Sequence, residues 1–238
     1  MTAFFEVHKD LPREGPGEAA DVHWALKRAA LRPDAIVCDA GCGPGDDIQA
    51  LLRHLPAGHL LAVDLHAPFV AQAEARFENE PRVDARVGDM AQLDTQPDAP
   101  FDLIWCAGAL YFLGVSEGLG VFRKALKENG YVAFSEPAFL TDEPSQAARS
   151  FWDGYEPSSE AELRAKVEAA GFKVLGIKTV SDAAWENYYQ PMEARIAKLR
   201  AGANAELSKA LDENQAEAES WRKVKGETGY LLVLAQAV

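Results

Sequence analysis

Val37-Cys38-Asp39-Ala40-Gly41-Cys42-Gly43-Pro44-Gly45 joins an apolar run to an acid and then to a glycine-rich turn. Upstream, Ala35 to Asp39 has the composition of a short buried strand. Downstream, Ile48, Leu51, Leu52 and Leu55 recur at helical spacing. Glycines at alternate positions let a backbone approach a ligand without Cβ clashes. A helix that follows such a turn points its free N–H groups at the same ligand. The turn gains its meaning from its place between a first strand and a helix.

Working outward, Leu60-Leu61-Ala62-Val63-Asp64 is a second apolar run ending in an acid. That acid is placed to accept the hydroxyls of a ribose. Phe69, Val70, Ala73 and Phe77 mark a second helix, with His66 placed to cap it. Val83 to Val87 is a third strand, followed by Gly88-Asp89. Phe101 to Cys106 is a fourth. The next helix carries Val115, Leu119, Phe122 and Leu126 on one stripe, with Ser116 as N-cap and Gly130 just past its end. Tyr131 to Ser135 is a fifth strand. Alternating strands and helices with continuous apolar strands imply a parallel sheet covered on both faces.

The later part differs. Ser159-Glu160-Ala161-Glu162 opens a helix as a capping box, and Gly171 closes it. Phe172 to Val180 and Gly229 to Ala237 are two strands. Between them Met192, Ile196, Leu199, Leu207 and Leu211 keep a helical pattern. The stretch is too long to be structureless, and Trp185, Tyr188, Tyr189 and Trp221 give it something to bury. Residues 1–20 are expected to be a loose lead-in, because Leu11-Pro12-Arg13-Glu14-Gly15-Pro16-Gly17 resists regular structure. A helix follows from about Asp21 to Leu31.

The chain has 238 residues, with 24 Lys and Arg against 37 Asp and Glu, a net charge of −13. That length suits one large domain, at roughly 150 residues each. An acidic chain without a basic cluster disfavours nucleic acid as the main partner. The three cysteines, Cys38, Cys42 and Cys106, are expected to be free thiols rather than a disulfide framework. No metal site is expected, since no second Cys/His pair stands at ligand spacing. The longest uncharged run, Leu103 to Ser116, is too short for a membrane span. With no signal peptide evident around Glu6, His8, Lys9 and Asp10, a cytoplasmic protein is expected.

The dinucleotide fingerprint G-x-G-x-x-G fits Gly41 and Gly43 but meets Asp46 at its third glycine. Asp39, Asp46 and Asp47 around the turn would repel a pyrophosphate. They suit a ligand end carrying an ammonium and a sulfonium. Here the sequence resembles class I S-adenosylmethionine-dependent methyltransferases. Asp39 to Gly45 resembles their first motif, Asp64 the acid ending their second strand, and Gly88-Asp89-Met90 the turn after the third. Phe101 to Cys106 and Gly130 to Pro137 resemble the fourth- and fifth-strand motifs. Arg13 to Gly17, Trp105 to Tyr111 and Ala184 to Tyr189 are similar to a bacterial small-molecule branch whose substrate is undefined.

The resemblance implies a Rossmann-like, doubly wound, seven-stranded α/β sheet, mostly parallel with an antiparallel last strand. Within a single domain 1–238 it implies a lead-in and helix (1–34), a core (35–180), a helical cap insertion (181–228) and the last strand (229–238). It implies that Asp39, Ala40, Gly41, Cys42, Gly43 and Gly45 form the loop around the methionine end of S-adenosylmethionine. Asp64 would hold the ribose, Leu65 would flank the adenine, and Asp89 and Met90 would meet its edge. Cys106 would lie near the methionine moiety, and Arg13 would pair with its carboxylate. The acceptor would be a small molecule. If it is a hydroxyl, Glu136 is the best-placed base, with His23 and Tyr111 behind it. Two alternatives stay open: an NAD(P)-dependent oxidoreductase, and a non-catalytic S-adenosylmethionine-binding protein.

Overall fold

The apolar runs become buried strands and their intervening amphipathic stretches become helices. This computed structural model describes residues 3–238; Met1 and Thr2, at the head of the expected lead-in, lie outside the described residues. The strands are β1 (Ile36–Ala40), β2 (His59–Asp64), β3 (Val83–Val87), β4 (Phe101–Ala107), β5 (Leu126–Phe139), β6 (Phe172–Thr179) and β7 (Thr228–Ala237). The helices are α1 (Ala3–His8), α2 (Ala19–Ala29), α3 (Ile48–Leu52), α4 (Ala67–Arg76), α5 (Val115–Ala125), α6 (Gln146–Ser150), α7 (Glu160–Ala169), α8 (Asp182–Leu199) and α9 (Ala205–Val224).

One seven-stranded sheet runs in the order β3-β2-β1-β4-β5-β7-β6. β7 is antiparallel to both of its neighbours, and the pairs among β1 to β5 are parallel. Strand order reverses between β1 and β4, and in such sheets ligands bind beyond the carboxyl ends of the strands at that point. Cores lie on both faces. Val22, Leu26, Ile48, Leu51, Trp185 and Trp221 belong to one, and Leu119, Phe122, Phe134, Leu163 and Val167 to the other.

The Ser159–Glu162 capping box forms as expected: Ser159 Oγ accepts from Glu162 N–H at 3.3 Å, and Glu162 Oε2 accepts from Ser159 N–H at 2.8 Å. Three local expectations are corrected. The lead-in is not loose, because α1 forms inside it and docks on α8 and α9. α5 begins at Val115 behind Gly114, not behind Ser116. It ends at Ala125, so Gly130 lies inside β5, whose pairing with β4 outweighs the glycine stop signal. His66 does stand at the N-cap of α4, but its side chain makes no cap hydrogen bond.

The insertion is a two-helix cap. Trp221 of α9 stacks on Trp185 of α8 with ring centroids 5.0 Å apart, and Trp185 stacks in turn on Tyr189 at 5.8 Å. Arg222 spans Glu186 and Glu193 with four contacts of 2.6–2.9 Å. Those charges are part-exposed and worth little; the buried aromatics hold the cap. Trp221→Ala is therefore expected to lower the unfolding free energy by about 3–5 kcal/mol. Urea titration checks this, and a loss under about 1 kcal/mol would mean that the cap is not anchored there.

Candidate active site

The glycine turn is built by close approach. Gly41 has φ of +75°, and a Cβ on it would lie 2.6 Å from Ala109 Cβ. The turn's amides are spent inside the protein, contrary to the expectation that they face a ligand. Gly41 and Cys42 N–H both donate to the Val63 carbonyl, at 2.8 and 3.0 Å, and Gly45 N–H donates to the Cys42 carbonyl at 3.0 Å. Gly43 N–H donates to Asp64 Oδ2 at 2.9 Å, while Asp64 Oδ1 accepts from His66 N–H at 2.8 Å. Asp64 thus clasps the turn to the end of β2. What the turn offers a ligand is a thin wall and carboxylates.

Those carboxylates are crowded. Asp39 is only 3% exposed, and its Oδ2 has no hydrogen-bond partner among the described residues. Burial, with Asp47 and Asp64 beside it, pushes its carboxyl well above the usual range, against the pull of Arg13. Asp47 accepts from Trp105 Nε1 at 2.9 Å and from Arg13 at 3.1 Å. Arg13 also reaches Asp46 at 3.3 Å and the carbonyls of Gly15 and Gly17 at 2.7 and 2.5 Å. Its guanidinium lines the cavity but is held by the protein's own acids, so it is not a spare partner for a ligand carboxylate.

The lead-in closes over this end. His8 Nε2 lies 3.0 Å from Asn214 Oδ1, and the Asn214 amide donates to the Ala210 carbonyl at 2.9 Å. Nε2 is therefore the donor, and the 2.6 Å contact of Nδ1 with Glu14 Oε2 shares one proton. Glu14 Oε1 has no partner among the described residues. Burial raises the Glu14 carboxyl, and the hydrogen bond from His8 opposes that.

These groups surround a cavity of about 810 Å³, at the upper end of the ~300–1,000 Å³ usual for ligand sites. Of the expected cofactor residues, Arg13, Asp39, Gly41, Cys42, Gly43, Asp64, Leu65, Asp89 and Met90 line it. Asp89 Oδ1 is engaged by Ala91 N–H at 2.8 Å. Phe5 stacks on His66 at 3.8 Å on the same side. The far side is aromatic: Tyr111, Trp152, Tyr155, Trp185, Tyr188 and Tyr230, with Glu217 among them.

Residues 37–130 match a family model described as a methyltransferase domain. The match covers less than half of the chain and includes the glycine turn, Asp64 and Asp89. Malonyl-[acyl-carrier protein] O-methyltransferase of Herminiimonas arsenicoxydans is 35% identical over 103 residues, 43% of this chain and 37% of that protein. Trans-aconitate 2-methyltransferase of Paracidovorax citrulli is 28% identical over 185 residues, 74% of this chain and 69% of that protein. The chain spans about a third of the length of the first curated relatives it matches. A S-adenosylmethionine-dependent methyltransferase of Geobacter sulfurreducens, solved with S-adenosylhomocysteine, shares the fold with a TM-score of 0.85 at 18% identity, covering 99% of this chain and 98% of that one.

Some expected residues stand away from the cavity. Ala40 and Cys106 are fully buried in the core on the α5 and α7 side of the sheet. Gly45, with φ of +83°, serves packing: a Cβ there would meet Ile48 Cδ1 at 2.9 Å and Ala73 Cβ at 3.1 Å. His23 pairs with His54 at 3.3 Å on the exposed surface, outside the cavity lining. Glu136 is fully buried, and it is Tyr155 that faces the cavity and donates its hydroxyl to Glu136 Oε1. Tyr111 lines the wall next to Tyr155, with ring centroids 6.0 Å apart. Asp47, of the acid-rich turn, also lines the cavity, as do Glu14, Trp152 and Tyr155. Glu217 lines it without having been singled out in the sequence, where its one signal is to be an acid within the helical insertion.

Burial raises the Glu136 carboxyl from 4.5 to about 7, with the Tyr155 hydrogen bond opposing. The folded protein therefore keeps a proton that the unfolded chain releases. That stabilisation is complete below the unfolded value and is lost as pH rises to about 7. Relative to Glu136→Gln, the parent should lose about 2 kcal/mol of unfolding free energy between pH 5 and 8. Paired urea titrations test this; a pH-independent gap would show that Glu136 is ionised throughout.

Proposed function

We propose that the whole chain is one S-adenosylmethionine-dependent methyltransferase domain acting on a small-molecule acceptor in the cytoplasm. The observation that carries the reading is Asp39, a buried carboxylate with an orphan oxygen on the wall of the cavity, beside the glycine turn. A cationic ligand end satisfies such a group and lowers its proton affinity, whereas a pyrophosphate would meet Asp39, Asp46 and Asp47 as like charges. The residues present thus fit S-adenosylmethionine better than a nicotinamide dinucleotide.

In this reading Asp39 and Glu14 face the cationic methionine end, Asp64 accepts from the ribose, and Asp89, Met90 and Leu65 border the adenine. When bound, S-adenosylmethionine supplies an electrophilic methyl group. The chain's own tasks are then to align an acceptor, exclude water and receive a proton where the acceptor must lose one. α1 and the Arg13–Gly17 loop cover the cofactor end. Gly17 is fixed to α8 by its N–H to the Ala184 carbonyl at 3.1 Å, which ties lid to cap. Tyr155 is the cavity-facing member of its pair with Glu136, which makes its phenol the group able to pass a proton toward that buried carboxyl.

Among the described residues no helix is long and apolar enough to cross a membrane, and no three His, Cys, Asp or Glu side chains are placed to hold a metal ion together. S-adenosylhomocysteine at a hundred times its Kd is expected to stabilise the parent by about 2.7 kcal/mol, read as a rise in Tm. Asp64→Ala should keep only a small part of that rise. Equal rises in both proteins would remove Asp64 from the site. A rise with NADPH and none with S-adenosylhomocysteine would favour the oxidoreductase, and binding without turnover of labelled cofactor on any acceptor would leave a sensor.

A further inference from the structure

We propose that the cap side of the cavity takes an organic cation, a primary or secondary amine in its ammonium form, with Glu217 as its counter-charge. Calling this cation the methyl acceptor rests on the function proposed above; the preference for positive charge does not.

The cavity has two ends. Asp39, Asp64 and Asp89 stand at or just beyond the carboxyl ends of β1, β2 and β3. Tyr230 stands near the start of β7, which the strand order places on the opposite side of β4. α8 and α9 cover this second end with Trp185, Tyr188 and Glu217. Glu217 Oε1 accepts from the Tyr189 hydroxyl at 3.0 Å, and its Oε2 makes no hydrogen bond among the described residues. Tyr188 and Tyr230 are 9% and 7% exposed, line the cavity, and their hydroxyls make no hydrogen bond among the described residues. These polar groups open onto the cavity, where a ligand with donors can engage them. Aromatic faces around a carboxylate are the surroundings that favour an ammonium head on an apolar body.

The charge count points the same way. Among the described residues, eight carboxylates line the cavity, and Arg13 is the one guanidinium, with no lysine. Arg13 is held by Asp46 and Asp47, and His8 is held by Glu14. An acceptor carrying a carboxylate or a phosphate would find no uncommitted arginine or lysine on the wall and would face Glu217 as a like charge. Burial also raises the Glu217 carboxyl, with the Tyr189 hydrogen bond and nearby His8 opposing. An unpaired negative charge is therefore costly there, and a cation relieves it.

The test titrates the full chain, with and without saturating S-adenosylhomocysteine, with phenethylammonium, 3-phenylpropionate and 2-phenylethanol, followed by tryptophan fluorescence and calorimetry. The ammonium should bind at least about tenfold more tightly than either counterpart. Glu217→Gln should weaken the ammonium by about tenfold or more while keeping the S-adenosylhomocysteine rise in Tm. Equal or tighter binding of the carboxylate or the alcohol overturns the proposal, as does unchanged ammonium binding in the variant or none in the parent up to its solubility limit. Should Glu217→Gln lose the folded state, the ranking of the three probes on the parent decides. Failure here with S-adenosylhomocysteine still bound leaves the methyltransferase reading intact; an ammonium preference without S-adenosylhomocysteine binding overturns that reading alone.

Discussion

Three carboxylates, Asp39, Asp47 and Asp64, share the small volume around the glycine turn, and their mutual repulsion constrains everything built on it. The cost is contained by specific donors. Trp105 Nε1 and Arg13 hold Asp47, and two backbone N–H groups hold Asp64. Removing one partner of such a buried set strands an uncompensated charge, which costs far more than the intact pair contributes. Arg76 adds a second clamp from α4, donating to the Pro12 and Pro44 carbonyls at 3.1 and 2.9 Å and reaching Asp46 at 3.1 Å. The electrostatics of the turn therefore require the lead-in to be in place. Lid and turn are one electrostatic unit, and Asp39 Oδ2 is the acid oxygen they leave without a partner among the described residues.

The cap is held by a different force. Trp152, Trp185, Tyr189, Trp221 and Tyr230 pack on one another, stacked or edge-on, at centroid distances of 5.0–6.3 Å, anchoring α8 and α9 to β7. Trp152, Trp185 and Tyr230 of this set also line the cavity, so residues that stabilise the cap also shape that space. Glu217 is an anionic side chain beside that aromatic wall, and Asp153, next to Trp152, lines the cavity as well. This division explains the reach of the family resemblance. The matched segment, 37–130, contains the turn, Asp64 and Asp89, whereas Trp185, Glu217 and Tyr230 all lie beyond it. The matched segment thus ends before the aromatic cap begins, and named relatives that match mainly through the first say little about the second.

Periodicity and turn chemistry determined the strands, the helical insertion and the glycine turn, because each depends on residues close in sequence. β3 needed only its five residues, and the Ser159–Glu162 box closes within one helical turn. Local signals failed where a distant partner outweighed them. Gly130 was absorbed into β5 by pairing with β4, and α1 formed in a Pro- and Gly-rich lead-in because α8 and α9 offered it a surface. Asp64 was legible as a strand-end acid. That the turn's amides would be consumed by Val63 and Asp64 was not, since hydrogen-bond partners across twenty residues leave no mark on spacing.

The sequence alone determined a sheet of alternating β and α units, an acid-rich glycine turn, and an aromatic insertion with something to bury, all being properties of short-range pattern. Only the tertiary structure decided that Glu136 sits behind Tyr155, that His23 and Cys106 stand outside the cavity, that Arg13 is already paired, and that Glu217 faces the aromatic wall. Which side of a sheet or helix meets a cavity is set by register and by packing between distant segments, and no local rule of residue spacing encodes that.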